Sequence, residues 1–263
     1  MATISSFRSR PRQRGGLPRA SAPRITGHEF FESDSLPAAR LSEIFDSIYE
    51  VYRATMYGHT REQFEQHLLA DGNLHLALYY GSGGEIAGFA FVGIQCVEHD
   101  GKTVAAFSGG GFFRPGYRDC GVPTMRYCLR EALRFKLRHP GVPLGYLART
   151  SSPVAYHLFV RTLPLVYPSP ARPTPPGIDA LVRKLSASRG YSFIGDDTWI
   201  VRSDAIPRDA SRMRRLEGHP NVRYYCALNP NYSVGEALLV WMPLGAATIA
   251  GGIFRQLRLL VRR

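Results

Sequence analysis

Lysine is nearly missing from this chain of 263 residues: only three of its 33 basic residues are lysine, and the rest are arginine. Cysteine is scarce too. Cys96, Cys120, Cys128 and Cys226 form no CxxC pair, and no neighbouring histidines complete a zinc spacing. Four thiols in a chain this long exclude a disulfide scaffold and leave reduced cysteines in a cytoplasm as the expectation. Acidic residues are absent from both ends. Residues 1–25 hold six arginines and no acid, and residues 255–263 hold four arginines and no acid. The formal charge is +12, yet without those ten arginines the remainder carries 23 basic and 21 acidic residues. The basic excess therefore belongs to the ends, and nucleic acid, which a uniformly basic fold would invite, is not expected as a partner. With 44% hydrophobic and 21% charged residues, the composition is that of a globular protein and excludes a collagen, a wholly disordered chain or a polytopic membrane protein. There is no internal repeat.

Residues 1–25, rich in Arg, Ser, Pro and Gly, lack an apolar h-region and read as a disordered basic arm rather than a secretory signal. From Leu36 the apolar spacing turns helical: Leu41, Ile44, Ile48 and Val51 predict a helix over 38–56, and Phe64, Leu68 and Leu69 one over 60–70. Alternating Leu74, Leu76 and Leu78, then Ile86 to Val97 and Val104 to Phe113, predict three antiparallel strands. Their turns are at Gly81–Gly84 and His99–Lys102. A helix to Arg138 follows, with Val122, Met125, Leu129, Leu133 and Leu137 on one face, then a strand Leu144 to Ala148 and a helix Pro153 to Arg161. Six prolines between Pro164 and Pro176 read as a linker or wrapping loop. Beyond them come a helix near 177–188, a strand near Tyr191–Val201, a polar loop and a last apolar segment. The expected domains are thus the arm 1–25, a core 26–163, a Pro-rich linker 164–176 and a C-terminal α/β extension 177–263.

The chemistry sits where the third strand of that meander meets the helix. A strand, tight loop and helix N-terminus aim backbone N–H groups at an anion. Here the run is Phe113-Arg114-Pro115-Gly116-Tyr117-Arg118-Asp119-Cys120-Gly121-Val122-Pro123. Gly121 permits close approach, Arg118 adds a cation, and Pro123 suits a first helical turn. No Gly-Lys-Ser/Thr follows, so it is not a P-loop, and hairpins rather than βαβ units precede it. A plain strand–turn–helix corner is the alternative.

This run, in its element order, resembles the GNAT superfamily of acyl-CoA-dependent N-acyltransferases over about residues 28–162. The resemblance implies an α+β fold: a mostly antiparallel central sheet with one splayed strand, flanked by helices, here with a C-terminal extension. It implies acetyl-CoA or a longer acyl-CoA as co-substrate and no metal. The acceptor would be a small-molecule or peptide amine, less often a hydroxyl, attacking the thioester directly. Phe113 would end the splayed strand beside the pantetheine arm, and Arg118, Asp119, Cys120, Gly121, Val122 and Pro123 would cradle the diphosphate. Pro123 replaces the family's second small residue and offers no N–H. Ser152, Ala155, Leu158 and Phe159 fall at the spacing of the next family motif, in which the last position is a tyrosine that protonates the leaving thiolate. Phe159 has no hydroxyl, and Tyr156 stands nearby on another side of the helix. Glu98, His99 and Ser108 are the candidates for a general base, each with an equally ordinary structural role. These departures leave open a second reading, a catalytically reduced GNAT-like binding protein or membrane-associated adaptor.

Arg126, Arg130, Arg134 and Arg138 recur every four residues, as a solvated face or as a contact for the 3′-phosphate of CoA. Ala237 to Phe254 is an 18-residue stretch without charge. Pro243, Gly245, Gly251 and Gly252 divide it into a β-like run, Ala237–Met242, and a later amphipathic segment. That segment, 249–263, reads as a docked helix, with an anionic membrane surface as the other partner and a true span as the last. The expected location is cytoplasmic, in part peripheral to a membrane. Acyl length, acceptor identity and oligomeric state are not encoded in any motif found.

Overall fold

The computed structural model describes residues 24–70, 72–117, 122–196, 199–208 and 216–251, with side chains at the start of the third helix described from Thr124 onward. Residues 1–23 of the supposed arm 1–25, the loop Arg118 to Gly121 and the segment 252–263 lie outside the described residues.

Helix α1 (Ala38–Arg53) forms where Ile44, Phe45, Ile48, Val51 and Tyr52 recur at helical spacing, and all five are buried. Helix α2 (Arg61–Leu69) starts with a capping box: the Gln63 amide donates to the Thr60 hydroxyl at 3.2 Å, and the Thr60 amide donates to Oε1 of Gln63 at 2.9 Å. Between them lies the short strand β2 (Met56–Tyr57). Strands β3 (His75–Gly81), β4 (Ile86–His99) and β5 (Lys102–Phe113) follow as the meander expected from sequence. The β4–β5 turn is carried by Asp100 and Gly101 at φ 50° and 71°, the left-handed pair that a two-residue hairpin loop requires.

After β5 come α3 (Val122–Arg138), β6 (Leu144–Thr150), α4 (Pro153–Thr162) and α5 (Pro176–Ser188). Next are β7 (Ile200–Arg202), β8 (Ile206–Pro207), α6 (Pro220–Leu228) and β9 (Glu236–Pro243). A further helix begins at residue 246. Three differences from the sequence reading stand out. Strand β1 (Ile25–Glu32), where no strand was expected, starts at the last residue of the supposed arm and pairs antiparallel with β3; its adjacent Phe30 and Phe31 break the alternation that marks a strand. The strand anticipated over Tyr191–Val201 is limited to β7, because Gly195 at φ 64° turns the chain back so that Phe193 faces Val201 in a single bridge. The span read as a polar loop contains α6, whose apolar face is reduced to Val222 and Tyr225 among polar neighbours.

The fold is mixed α+β. One seven-stranded sheet runs in the order β1-β3-β4-β5-β6-β9-β7, with a separate β2–β8 pair. All neighbours are antiparallel except β5 and β6. The chain beyond residue 163 supplies β9 and β7 to this same sheet, and Tyr167 in the Pro-rich stretch pairs with Trp241 on the outer edge of β9 (N···O 2.9 and 2.8 Å).

Helices cover both faces. Against one face, α1 and α2 pack on Leu76, Leu78 and Phe89, and α5 packs Leu181, Val182 and Leu185 on Ala106, Leu147 and Leu239. Against the other, α3 places Tyr127 and Ala132 by Phe107 and Phe113, while Tyr156 of α4 and Tyr225 of α6 meet Leu238 and Val240. Glu131 of α3 is buried against His75 of β3 (3.1 Å); burial opposes its charge, but His75, Arg130 and Arg134 hold its carboxyl below its ordinary pKa. Arg134 also reaches Glu32 of β1 at 2.7 Å, and Arg130 lies over the Phe30 ring at 4.4 Å. Two members of the arginine stripe thus tie α3 to the sheet edge.

Candidate active site

Strands β5 and β6 pair only from Ala105–Leu144 to Phe107–Tyr146. Past Phe107, β5 continues to Phe113 against β4 alone, so its other edge opens away from β6. The polarity of that edge follows from strand period. The Ala105 amide donates towards β6, to Pro143 O at 2.8 Å, and the Arg114 amide donates towards β4, to Ala87 O at 2.9 Å. With an unbroken β4–β5 register, the odd-numbered residues Gly109, Gly111 and Phe113 turn their N–H and C=O groups into the gap. Gly109 O accepts a hydrogen bond from the Tyr146 hydroxyl of β6 at 2.6 Å, which closes the narrow end of the opening.

Two cavities meet there. One, about 740 Å³, lies on the α3–α4 face and is walled mainly by apolar side chains, among them Phe107, Met125, Leu129, Leu158, Leu163 and Ile249. The other, about 360 Å³, lies on the α2 face. Gly110, Gly111, Tyr146 and Phe159 line both. A Cβ at Gly111 would come within 2.4 Å of the Thr124 hydroxyl, so α3 sits on β5 as closely as glycine allows.

The smaller cavity is polar at one end. His59, in the loop before α2, donates from Nε2 to the Ser203 carbonyl (2.7 Å). Its Nδ1 is thereby left to accept from the Tyr52 hydroxyl at 3.2 Å. Burial lowers the His59 pKa and raises that of Tyr52 to about 12, so both are neutral near pH 7. His67 of α2 lies beside His59, the rings tilted and their centroids 5.8 Å apart, and accepts from Nη2 of Arg149 at 2.7 Å. Burial and then the Arg149 charge hold His67 well below its ordinary pKa. Arg149, on β6, lies 5.0 Å above the Tyr191 ring, and the Ser151 hydroxyl donates to that of Ser203 at 3.2 Å.

The residues nominated from sequence are distributed unevenly around this site. Ser152 and Ala155 line the smaller cavity, Leu158 the larger, and Phe159 both. Ser108 lines the smaller cavity from β5. Phe113 ends β5, buried and stacked on Tyr79 at 5.5 Å. Glu98 and His99 stand at the far end of the β4–β5 hairpin, where Glu98 meets Thr103 and His99 meets Asp100 (3.4 Å); neither lines a cavity described above. Tyr156 is fully buried and donates its hydroxyl to Pro168 O at 2.9 Å. Arg118, Asp119, Cys120 and Gly121 lie outside the described residues, as do the side chains of Val122 and Pro123. Of residues 249–263, only 249–251 are described, and Ile249 lines the larger cavity. No described helix is long and apolar enough to cross a membrane, and no group of three or more His, Cys, Asp or Glu among the described residues is placed to hold a metal ion.

Tyr52, His59, His67, Tyr146, Arg149 and Tyr191 were not singled out by sequence. The one available signal was an arginine directly after the apolar strand Leu144 to Ala148, where a charge is costly without a purpose.

No family model matches the chain, and no curated protein matches it. Solved structures similar to it include a protein from Enterococcus faecalis described as a probable N-acyltransferase (14% identity, 52% of this chain and 32% of that one, TM-score 0.33). A glucosamine N-acetyltransferase region in a fungal multi-domain β-N-acetylglucosaminidase is another (16% identity, 68% of this chain and 18% of that one, TM-score 0.29). A third is an acetyltransferase from Trypanosoma brucei (15% identity, 51% of this chain and 90% of that one, TM-score 0.32). The chain thus spans about a third of the first protein's length and under a fifth of the second's. Likeness this distant carries no weight for activity; the fold is read from the chain's own strands. A mostly antiparallel sheet, splayed at its one parallel pair and continued from the splayed strand towards a helix, gives the chain a GNAT-like fold.

Proposed function

We propose that the protein transfers an acyl group from an acyl-CoA to an amine. The observation that carries this reading is the opening between β5 and β6. Backbone groups of Gly109, Gly111 and Phe113 edge it, and a cavity lies on either side. The pantetheine arm would lie in the larger, apolar cavity and pair with the free edge of β5. The diphosphate would fall to Arg118–Pro123 at the start of α3. The thioester carbonyl would then sit at the gap, where the Gly111 N–H polarises its oxygen. The amine would approach from the smaller cavity.

The reaction balances with groups already present. The amine nitrogen attacks the thioester carbon, the C–S bond breaks, and an amide and the CoA thiol result. The amine must first lose a proton, and the neutral Tyr52–His59 pair offers a route: Tyr52 accepts it while passing its own to Nδ1 of His59. The thiolate needs a proton in turn. Phe159 cannot give one, but the Tyr146 hydroxyl stands at the same narrow point, its ring edge-on to Phe159 at 5.9 Å.

Calorimetry with acetyl-CoA and longer acyl-CoAs, followed by thiol release against a panel of amines, tests the proposal. Binding with Kd below about 1 mM and sustained CoA release are expected. No binding of any acyl-CoA at millimolar concentration would overturn it. Binding without turnover would favour the reading as a binding protein instead.

A further inference from the structure

The smaller cavity holds a cation whose counter-charge is absent. Arg149 projects from β6 into it, with Nη2 on His67 and the guanidinium face over Tyr191. Among the described residues no carboxylate lies within 4.0 Å of it. The nearest acid to influence it, Asp204, is half-exposed and turned to Arg202 at 3.9 Å. His67 accepts a hydrogen bond from Arg149 and returns no negative charge. Nη1 and Nε have no hydrogen-bond partner among the described residues, so the guanidinium, which lines the cavity, keeps N–H donors for a ligand. An arginine removed from water is costly unless an anion meets it, and a guanidinium edge matches a carboxylate through two parallel bonds. Ser203 and Tyr191 line the same space and bring hydroxyl donors, the Ser151 hydroxyl being spent on Ser203.

We propose that the acceptor of the acyl group carries a carboxylate, and that Arg149, braced by His67 and Tyr191, binds it. The cavity, about 360 Å³, is within the range of pockets that hold small ligands and has room for an amino acid. This inference rests on the acyl-transfer reading for the identity of the amine, but the anion site has its own readout.

The test pairs α- and ω-amino acids of increasing length with their neutral amides, which match them in shape. With acetyl-CoA as donor, the acid is expected to exceed its amide at least tenfold in kcat/KM. Arg149→Met should bring that ratio close to one, and Arg149→Lys should retain part of it. Calorimetry of acid against amide on the protein without acyl-CoA repeats the comparison by binding alone. The wild-type comparison needs no variant, so a misfolded Arg149→Met protein would not spoil it. Equal binding and turnover of acid and amide by the wild type overturn the proposal. Preferential binding of the acid with no thiol release from any acceptor would instead sink the acyl-transfer reading and leave the anion site standing.

Discussion

Tyr146 holds the point where both cavities and both splayed strands converge, and its hydroxyl touches a carbonyl of the strand edge. Burial raises its pKa well above the usual tyrosine value, so the hydroxyl stays protonated near pH 7 and can hydrogen-bond a departing sulfur at the gap. Tyr146→Phe is therefore expected to lower kcat about tenfold or more, leave KM for the acyl-CoA within about twofold, and cost on the order of 1 kcal/mol from the bond to Gly109. Steady-state kinetics alongside thermal melting separates the two effects. A variant with unaltered kcat would remove Tyr146 from the chemistry. Neither Tyr146 nor Arg149 was legible as a site residue in the sequence, although the strand bearing Tyr146 was. Alternation assigns a side chain to a face, but it does not say that the face opens on a gap, because the gap is set by where β5 and β6 cease to pair.

At the scale of elements, the position of α3 on β5 decides the width of the larger cavity. Gly111 permits that contact, since a Cβ there would meet Thr124 Oγ1 at 2.4 Å and Cγ2 at 2.8 Å. Gly111→Ala is expected to destabilise the protein by about 1–3 kcal/mol and to weaken acyl-CoA binding, because α3 must lift. Adding Thr124→Ala removes both offending atoms and should restore most of the loss, which chemical denaturation of the two variants would measure. If the double variant is no better than the single, the contact is not what holds α3 in place. The helices and long strands were the legible part of this chain. The spacing of Ile44, Ile48 and Val51, the Asp100–Gly101 turn and the helix ending at Arg138 are local signals, and each corresponds to an observed element. Strand β1 and helix α6 were not, because their burial depends on partners distant in the chain. Phe30 stacks on Tyr127 at 5.3 Å, and the Tyr225 hydroxyl donates to Thr150 O at 2.8 Å.

For the whole molecule, three histidines shape the response to acid. His59, His67 and His157 all have pKa values lowered from 6.5, in each case first by burial. Unfolded histidines bind protons as pH falls through about 6.5, whereas these folded ones resist, so the unfolded state takes up more protons. Stability from this source is complete above about pH 6.5 and declines as pH drops towards the lowered values. Glu131, held below 4.5, adds a separate contribution that persists until more acidic pH. Thermal melting from pH 8 to pH 5 should show a plateau and then a fall, with a shallower fall in His67→Gln. A Tm that rises between pH 7 and pH 5 would contradict this account. Pairing between distant strands was the least legible level of all. Nothing in residues 236–243 announces that β9 inserts between β6 and β7 rather than adding to an edge.

That insertion bears on how the protein is made. A ribosome releasing this chain exposes β6, with its outer edge bare, some ninety residues before the strand that covers it. The pairing of Leu147 with Trp241 across the two strands spans that interval, so the Arg149 wall of the smaller cavity stays unsupported until translation has passed residue 243. In the meantime a nascent chain presents an apolar, unpaired ribbon to its surroundings, a state in which chaperones commonly hold young proteins.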